Sequence, residues 1–189
     1  MEADCPSPDD PSGDIALHLE LRARTADAHA RLDAGFGGFD DARDYDAYLA
    51  GMAGFIDAAI AVIGAEGWLL AARDALARDR GLPAPGPAPV AAERDPARVA
   101  GWRYVVAGAT LGARVLLRQA RAADAVARRG NTAFLEAFAG ADAWPRCLAL
   151  LRASHFDPAA RRRACDAALH AFHAAEAALR QARSPAHAA

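Results

Sequence analysis

Gly108 and Gly112 stand four residues apart inside the stretch Tyr104-Val-Val-Ala-Gly-Ala-Thr-Leu-Gly-Ala-Arg-Val-Leu116, which otherwise reads as helix. Asp95 followed by Pro96 supplies an N-cap and an N1 proline, so this helix is expected to begin there and run to about Ala120. Each interior glycine costs about 1 kcal/mol relative to alanine. Glycines at this spacing clear one face of side chains, so that something flat or close must pack against bare backbone. A tight helix crossing meets that requirement, and so does a flat ligand.

The remainder of the chain reads as helix as well. Apolar residues make up 53% of it, dominated by alanine and leucine, which favours packed helices over strands. A length of 189 residues suits one domain with a sizeable core. Asp14 is a plausible N-cap before Ile15 for a first helix that Gly35 stops, and Asp44 can cap a second through Tyr48, Met52, Phe55, Ile56 and Ile63. Trp68 to Arg78 continues as helix. Four prolines between Gly81 and Pro89 then break it, as a linker within one fold. Thr132 caps a short Phe134 to Phe138 piece, Trp144-Pro145 opens another, and Asp157-Pro158 repeats the cap device for a helix to about Arg183. Residues 1–14, acidic and rich in Pro, Ser and Asp, are expected to form a disordered tail, and 184–189 a second tail, around a helical domain over 15–183.

The first helix carries chemistry. Leu17, Leu21, Ala28 and Leu32 form its apolar seam at 100° per residue, and Arg22, Thr25, His29 and Asp33 form a second stripe beside it. A carboxylate four residues after a histidine can accept its Nδ1 hydrogen and leave neutral Nε2 for a metal such as iron. Arg22 lies about 10 Å up the axis from His29. By spacing alone the same residues also describe an ordinary surface pair.

Taken together, in this order and at this separation, the two segments resemble the haem oxygenases, particularly the bacterial biliverdin-producing group. That family opens on a helix of the form L-R-x-x-T-x-x-x-H-x-x-L-[DE], matched by Leu21, Arg22, Thr25, His29, Leu32 and Asp33. Its distal helix reads Y-V-x-x-G-[ST]-x-L-G-[GA]-x-V-L, matched by Tyr104, Val105, Gly108, Leu111, Gly112, Ala113, Val115 and Leu116. Tyr48 and Leu49, and Ala167, Ala168 and Phe172, are weaker matches, and the likeness spans about residues 15–182. The resemblance implies an all-α, single-domain haem-oxygenase-like bundle in which His29 is the proximal ligand and Gly108 and Gly112 let backbone lie over the haem face. Arg22, Thr25 and Asp33 would complete the cofactor site. Haem would be both cofactor and substrate, cleaved with O2 to biliverdin, carbon monoxide and iron. An external donor such as a ferredoxin or a flavin reductase would supply the electrons.

One position departs from the family pattern. Ala109 stands where a polar residue, often Asp or Ser, helps organise the water that protonates iron-bound peroxide, and Ala107 replaces a glutamate frequent in bacterial relatives. Thr110 and Arg114 are the polar neighbours. A haem-binding or haem-sensing protein without turnover is therefore the alternative on the same scaffold. A di-iron oxidase would need Glu-x-x-His pairs, and none of the glutamates precedes a histidine by three.

Other features exclude more than they suggest. Net charge is −2, and every one of the 22 basic residues is arginine, scattered among 24 acids, which is not a nucleic-acid footprint. Arg161-Arg162-Arg163 is the one cluster, read as a solvated face, with a propionate or redox-partner contact as the alternative. Three cysteines without CxxC spacing argue for a reducing compartment. Cys165, His170 and His173 have a spacing that suits zinc but lack a fourth ligand. Asp57 and Arg114 interrupt the longest apolar runs, and nothing at the N-terminus reads as a signal peptide, so a cytoplasmic protein off the membrane is expected.

Overall fold

The structure is a computed structural model that describes residues 12–35, 38–39, 41–88, 90, 92–123, 126 and 130–184. Among these residues it is all-α, without strands. The order is α1 (Ser12–Gly35), α2 (Ala42–Ile63), α3 (Gly67–Asp79), α4 (Pro96–Ala122), α5 (Ala133–Gly140), α6 (Ala143–Arg152) and α7 (Pro158–Arg183). The helix of the first segment starts at Ser12, so Asp14 is inside it rather than capping it, and residues 12–14 of the expected tail are helical. Residues 1–11 and 185–189, with Cys5, lie outside the described residues.

The two Asp-Pro signals act as caps. Asp95 accepts from the Ala97 amide at 3.0 Å and Asp157 from the Ala160 amide at 2.7 Å, each satisfying a donor that the helix start leaves without a partner. For α2 the cap is Asp41, not Asp44, because its carboxylate accepts from both Arg43 N and Asp44 N, at 2.7 and 3.0 Å. Thr132 makes no cap bond and turns its hydroxyl to Glu136. The first amides of α5 are held instead by Asp79, at the end of α3, which accepts from Ala133 N at 3.2 Å and Phe134 N at 2.8 Å.

At the centre lies α7, packed by α1, α2 and α4. Its inward face is small: Ala160, Ala164, Ala167, Ala168, Ala171 and Ala175 are all buried. Two glycines of neighbouring helices use that smoothness. A Cβ on Gly101 would run into the Ala164 carbonyl oxygen and come within 2.9 Å of the Ala168 nitrogen, and one on Gly51 would lie 2.9 Å from the Leu179 Cα. These are the close helix crossings, where bare backbone meets backbone.

The proline-rich segment after α3 runs across α2 and α3 within one fold. Arg73 binds Asp57 at 2.7 Å and the Gly86 carbonyl at 2.7 Å, and the Ala92 amide donates to the Ala61 carbonyl. Helix α2 is long and apolar enough, by length and composition, to cross a bilayer, so Asp57 does not interrupt it as the sequence suggested. In the fold, half of that apolar window is buried against its neighbours.

Candidate functional site

An elongated cavity of about 720 Å³ lies between α1 and α4 over a floor of α2 and α7. That volume is in the range of small-molecule and cofactor sites. From α1 come His29, Leu32 and Asp33; from α4 comes a strip that includes Gly108, Ala109, Gly112 and Val115 and runs from Tyr104 to Gln119. At 1.5 Å per residue the strip is about 22 Å long. Tyr48, Met52 and Phe55 of α2 and Phe172 and Leu179 of α7 line the same space.

His29 and Asp33 behave as an i, i+4 pair: Nδ1 of the imidazole meets the Asp33 carboxylate at 2.9 Å, with 63% and 68% of the two side chains exposed. A neutral imidazole that donates through Nδ1 has Nε2 left as its acceptor and ligand atom. The ring stands edge-on to Phe172 at 5.8 Å, which fixes one side of it against α7. No group of three or more potential metal ligands occurs among the described residues. A metal at His29 would therefore have to arrive with most of its own ligands, as iron in a macrocycle does.

The two glycines of the α4 strip are not equivalent. A Cβ on Gly112 would meet no atom within 4 Å, so this stretch of bare backbone faces open cavity. A Cβ on Gly108 would meet the Trp144 ring at 3.6 Å. Neither glycine sits in a helix crossing, which is the role Gly51 and Gly101 fill. Contacts at both ends set the register of α1 against α4: His18 meets the Tyr104 ring at 5.9 Å, and Gly38 faces the Gln119 side chain. His29 of α1 and Gly112 of α4 both line the cavity between these contacts.

Two residues of the α1 stripe do not line the cavity. Thr25 is buried beside the apolar seam, its hydroxyl donating to the Leu21 carbonyl at 2.8 Å, the local bond that lets a threonine enter a core. Arg22 is exposed. Both act on Tyr104, whose phenol burial pushes up while the Thr25 hydroxyl and the Arg22 charge pull it back. The polar neighbours of Ala109 are also committed elsewhere: Thr110 donates to the Ala107 carbonyl at 2.6 Å and Arg114 to the Ala139 carbonyl at 3.2 Å. Ala109 itself lines the cavity, so this part of the α4 face is apolar.

The other sequence candidates lie elsewhere. Arg161 pairs with Glu20 at 3.0 Å and Arg163 with Asp95 at 2.7 Å, tying the start of α7 to α1 and α4. His170 stands edge-on to Trp102, and Cys165 is a buried free thiol. Tyr45 is core, its hydroxyl donating to the Asn131 carbonyl at 2.9 Å, while Tyr48 and Phe55 are both core and cavity lining. Trp144 was not singled out by sequence; its only signal is a large aromatic beside a helix-opening proline.

Among known proteins, no family model and no curated protein matches the chain.

Proposed function

We propose that the chain binds haem between α1 and α4 and is a haem oxygenase, cleaving haem with O2 to biliverdin, carbon monoxide and iron. The observation that carries this reading is that His29 and Gly112 line one mostly apolar cavity from two different helices: an imidazole from α1 and open, side-chain-free backbone from α4. A flat macrocycle needs both at once, whereas a helix crossing fills the space opposite its glycines and needs no imidazole. His29 would hold the iron through Nε2, with Asp33 orienting the ring and raising its basicity through Nδ1. Ala109 and Gly112 would keep the α4 wall low enough for a small ligand to enter, with Gly108 covered by the Trp144 ring, while the apolar walls exclude bulk water. The bound haem would supply the oxygen chemistry, and the chain its ligation, orientation and enclosure. Electrons would come from an external donor such as a ferredoxin or a flavin reductase, as the family resemblance implies. A cytoplasmic setting is consistent with the buried free thiols Cys147 and Cys165.

A second reading has its own observation. Ala109 makes the α4 face apolar where the family pattern carries a polar residue, and neither Thr110 nor Arg114 replaces it. Haem binding or sensing without turnover fits that surface. Adding haemin to the purified protein and following the absorption spectrum during reduction in air separates the two. Oxygenase activity destroys the Soret band and yields biliverdin, whereas a sensor keeps the band. Failure of wild type to bind haemin, or an unchanged bound spectrum in His29→Ala, would overturn the haem site itself.

A further inference from the structure

Three rings from three helices meet at one end of the cavity. Trp144 of α6 lies 5.6 Å from His18 of α1 and 5.6 Å from Tyr104 of α4, and His18 and Tyr104 are 5.9 Å apart. Trp144 and Tyr104 line the cavity, with His18 braced against both. The indole is seated on Gly108, where an added Cβ would already be in van der Waals contact at 3.6 Å. Three mutually packed rings resist displacement far better than one side chain in a loop. Further along the same strip, at Gly112, the backbone faces open space. The α4 wall is thus closed by an aromatic stop one turn before the open glycine.

We propose that Trp144 is a specificity-determining residue of this cavity: the stop against which the edge of a bound macrocycle rests, fixing its rotation in the plane and hence which bridging carbon is presented for cleavage. The inference deepens the haem reading and rests on it. Haem carries different substituents on its edges, so a rigid wall on one side favours the rotation whose edge fits. Gly108, on this account, is a glycine because the indole occupies the space above it, and Gly112 is one because the macrocycle does.

The test uses the whole chain loaded with haemin and cyanide, in which the hyperfine-shifted haem methyl resonances report the proportions of in-plane rotamers without any turnover. Trp144→Ala removes the stop and is expected to change the rotamer ratio by about tenfold, the scale on which a pocket discriminates one small apolar group. Trp144→Phe keeps a shorter wall and is expected to shift the ratio less, in the same direction. The biliverdin isomer ratio of each variant should follow its rotamer ratio. A wild-type ratio in a cooperatively melting Trp144→Ala protein overturns the proposal. If that variant does not fold, an unchanged ratio in Trp144→Phe overturns it equally. Absence of haemin binding by wild type overturns the haem reading and this inference together, whereas binding with unaltered rotamers overturns only the inference.

Discussion

At the scale of single residues, the site divides into what one helix can encode and what only the packing of several can. The His29–Asp33 contact is of the first kind, because a spacing of four puts both side chains on one face whatever the fold around them. Replacing Asp33 by Ala should weaken haemin binding by about tenfold, the lower end for a group that orients a metal ligand, since this carboxylate is well exposed. Titration at the Soret band measures it, and equal affinities would reduce Asp33 to a surface charge. Thr25 shows the limit of a stripe drawn at 100° per residue. It sits four residues after Leu21 and three before Ala28, close enough to the seam to be buried once its hydroxyl is satisfied by the Leu21 carbonyl. Nothing local tells which side of that border a threonine takes. Trp144 and Tyr48 belong to the second kind, since helices distant in sequence bring them to the cavity.

At the scale of elements, the Asp-Pro caps of α4 and α7 were legible because they are written in adjacent residues, and the cap of α5 was not, because Asp79 reaches it from the end of α3. The three glycines of α4, Gly101, Gly108 and Gly112, are in the sequence only a problem, because whether backbone, ring or space lies opposite each depends on the partner. The structure gives each a different answer, and stability measurements on the haem-free protein can check all of them. Gly112→Ala adds a methyl to open space in a helix interior, so it should stabilise by about 0.5–1 kcal/mol through backbone entropy and propensity. Gly101→Ala forces a Cβ into the backbone of α7 and should cost about 1–3 kcal/mol or more. In a domain of this size 1 kcal/mol corresponds to roughly 2–4 °C in Tm, so the two variants should melt on opposite sides of wild type. Gly112→Leu carries the argument to function: its apoprotein should melt near wild type, because the side chain enters cavity, while haemin binding is lost. A large drop in that apo melt would mean that Gly112 is packed against protein.

At the scale of the whole molecule, the alanine-rich core that α7 organises also buries Tyr45, Tyr48 and two of the three cysteines, with Tyr104 half-buried at its edge, and this sets how the protein responds to alkali. Burial pushes the Cys147 thiol from its ordinary value of 9.0 up to about 12 and that of Cys165 up to about 11. It also raises the phenols of Tyr45, Tyr48 and Tyr104 above their ordinary 10.0. In each case the folded state holds the proton more tightly than the unfolded chain. Their contribution to stability is therefore complete below pH 9 and is lost as pH rises through the ordinary values toward the folded ones, at up to about 1.4 kcal/mol per pH unit for each group. The absence of lysine makes this clean, because arginine does not titrate in that window and no other kind of side chain loses a proton there. The urea midpoint should be level from pH 7 to 8.5 and fall steeply above pH 9–10, with tyrosinate absorbance near 295 nm rising together with unfolding rather than before it. Cys147→Ala removes one of the five groups and should make the fall shallower between pH 9 and 12, even if the lost sulfur lowers the stability at neutral pH. A midpoint that stays level through pH 11, or tyrosinate formed in a chain that is still helical, would mean that these groups open to solvent without unfolding the core.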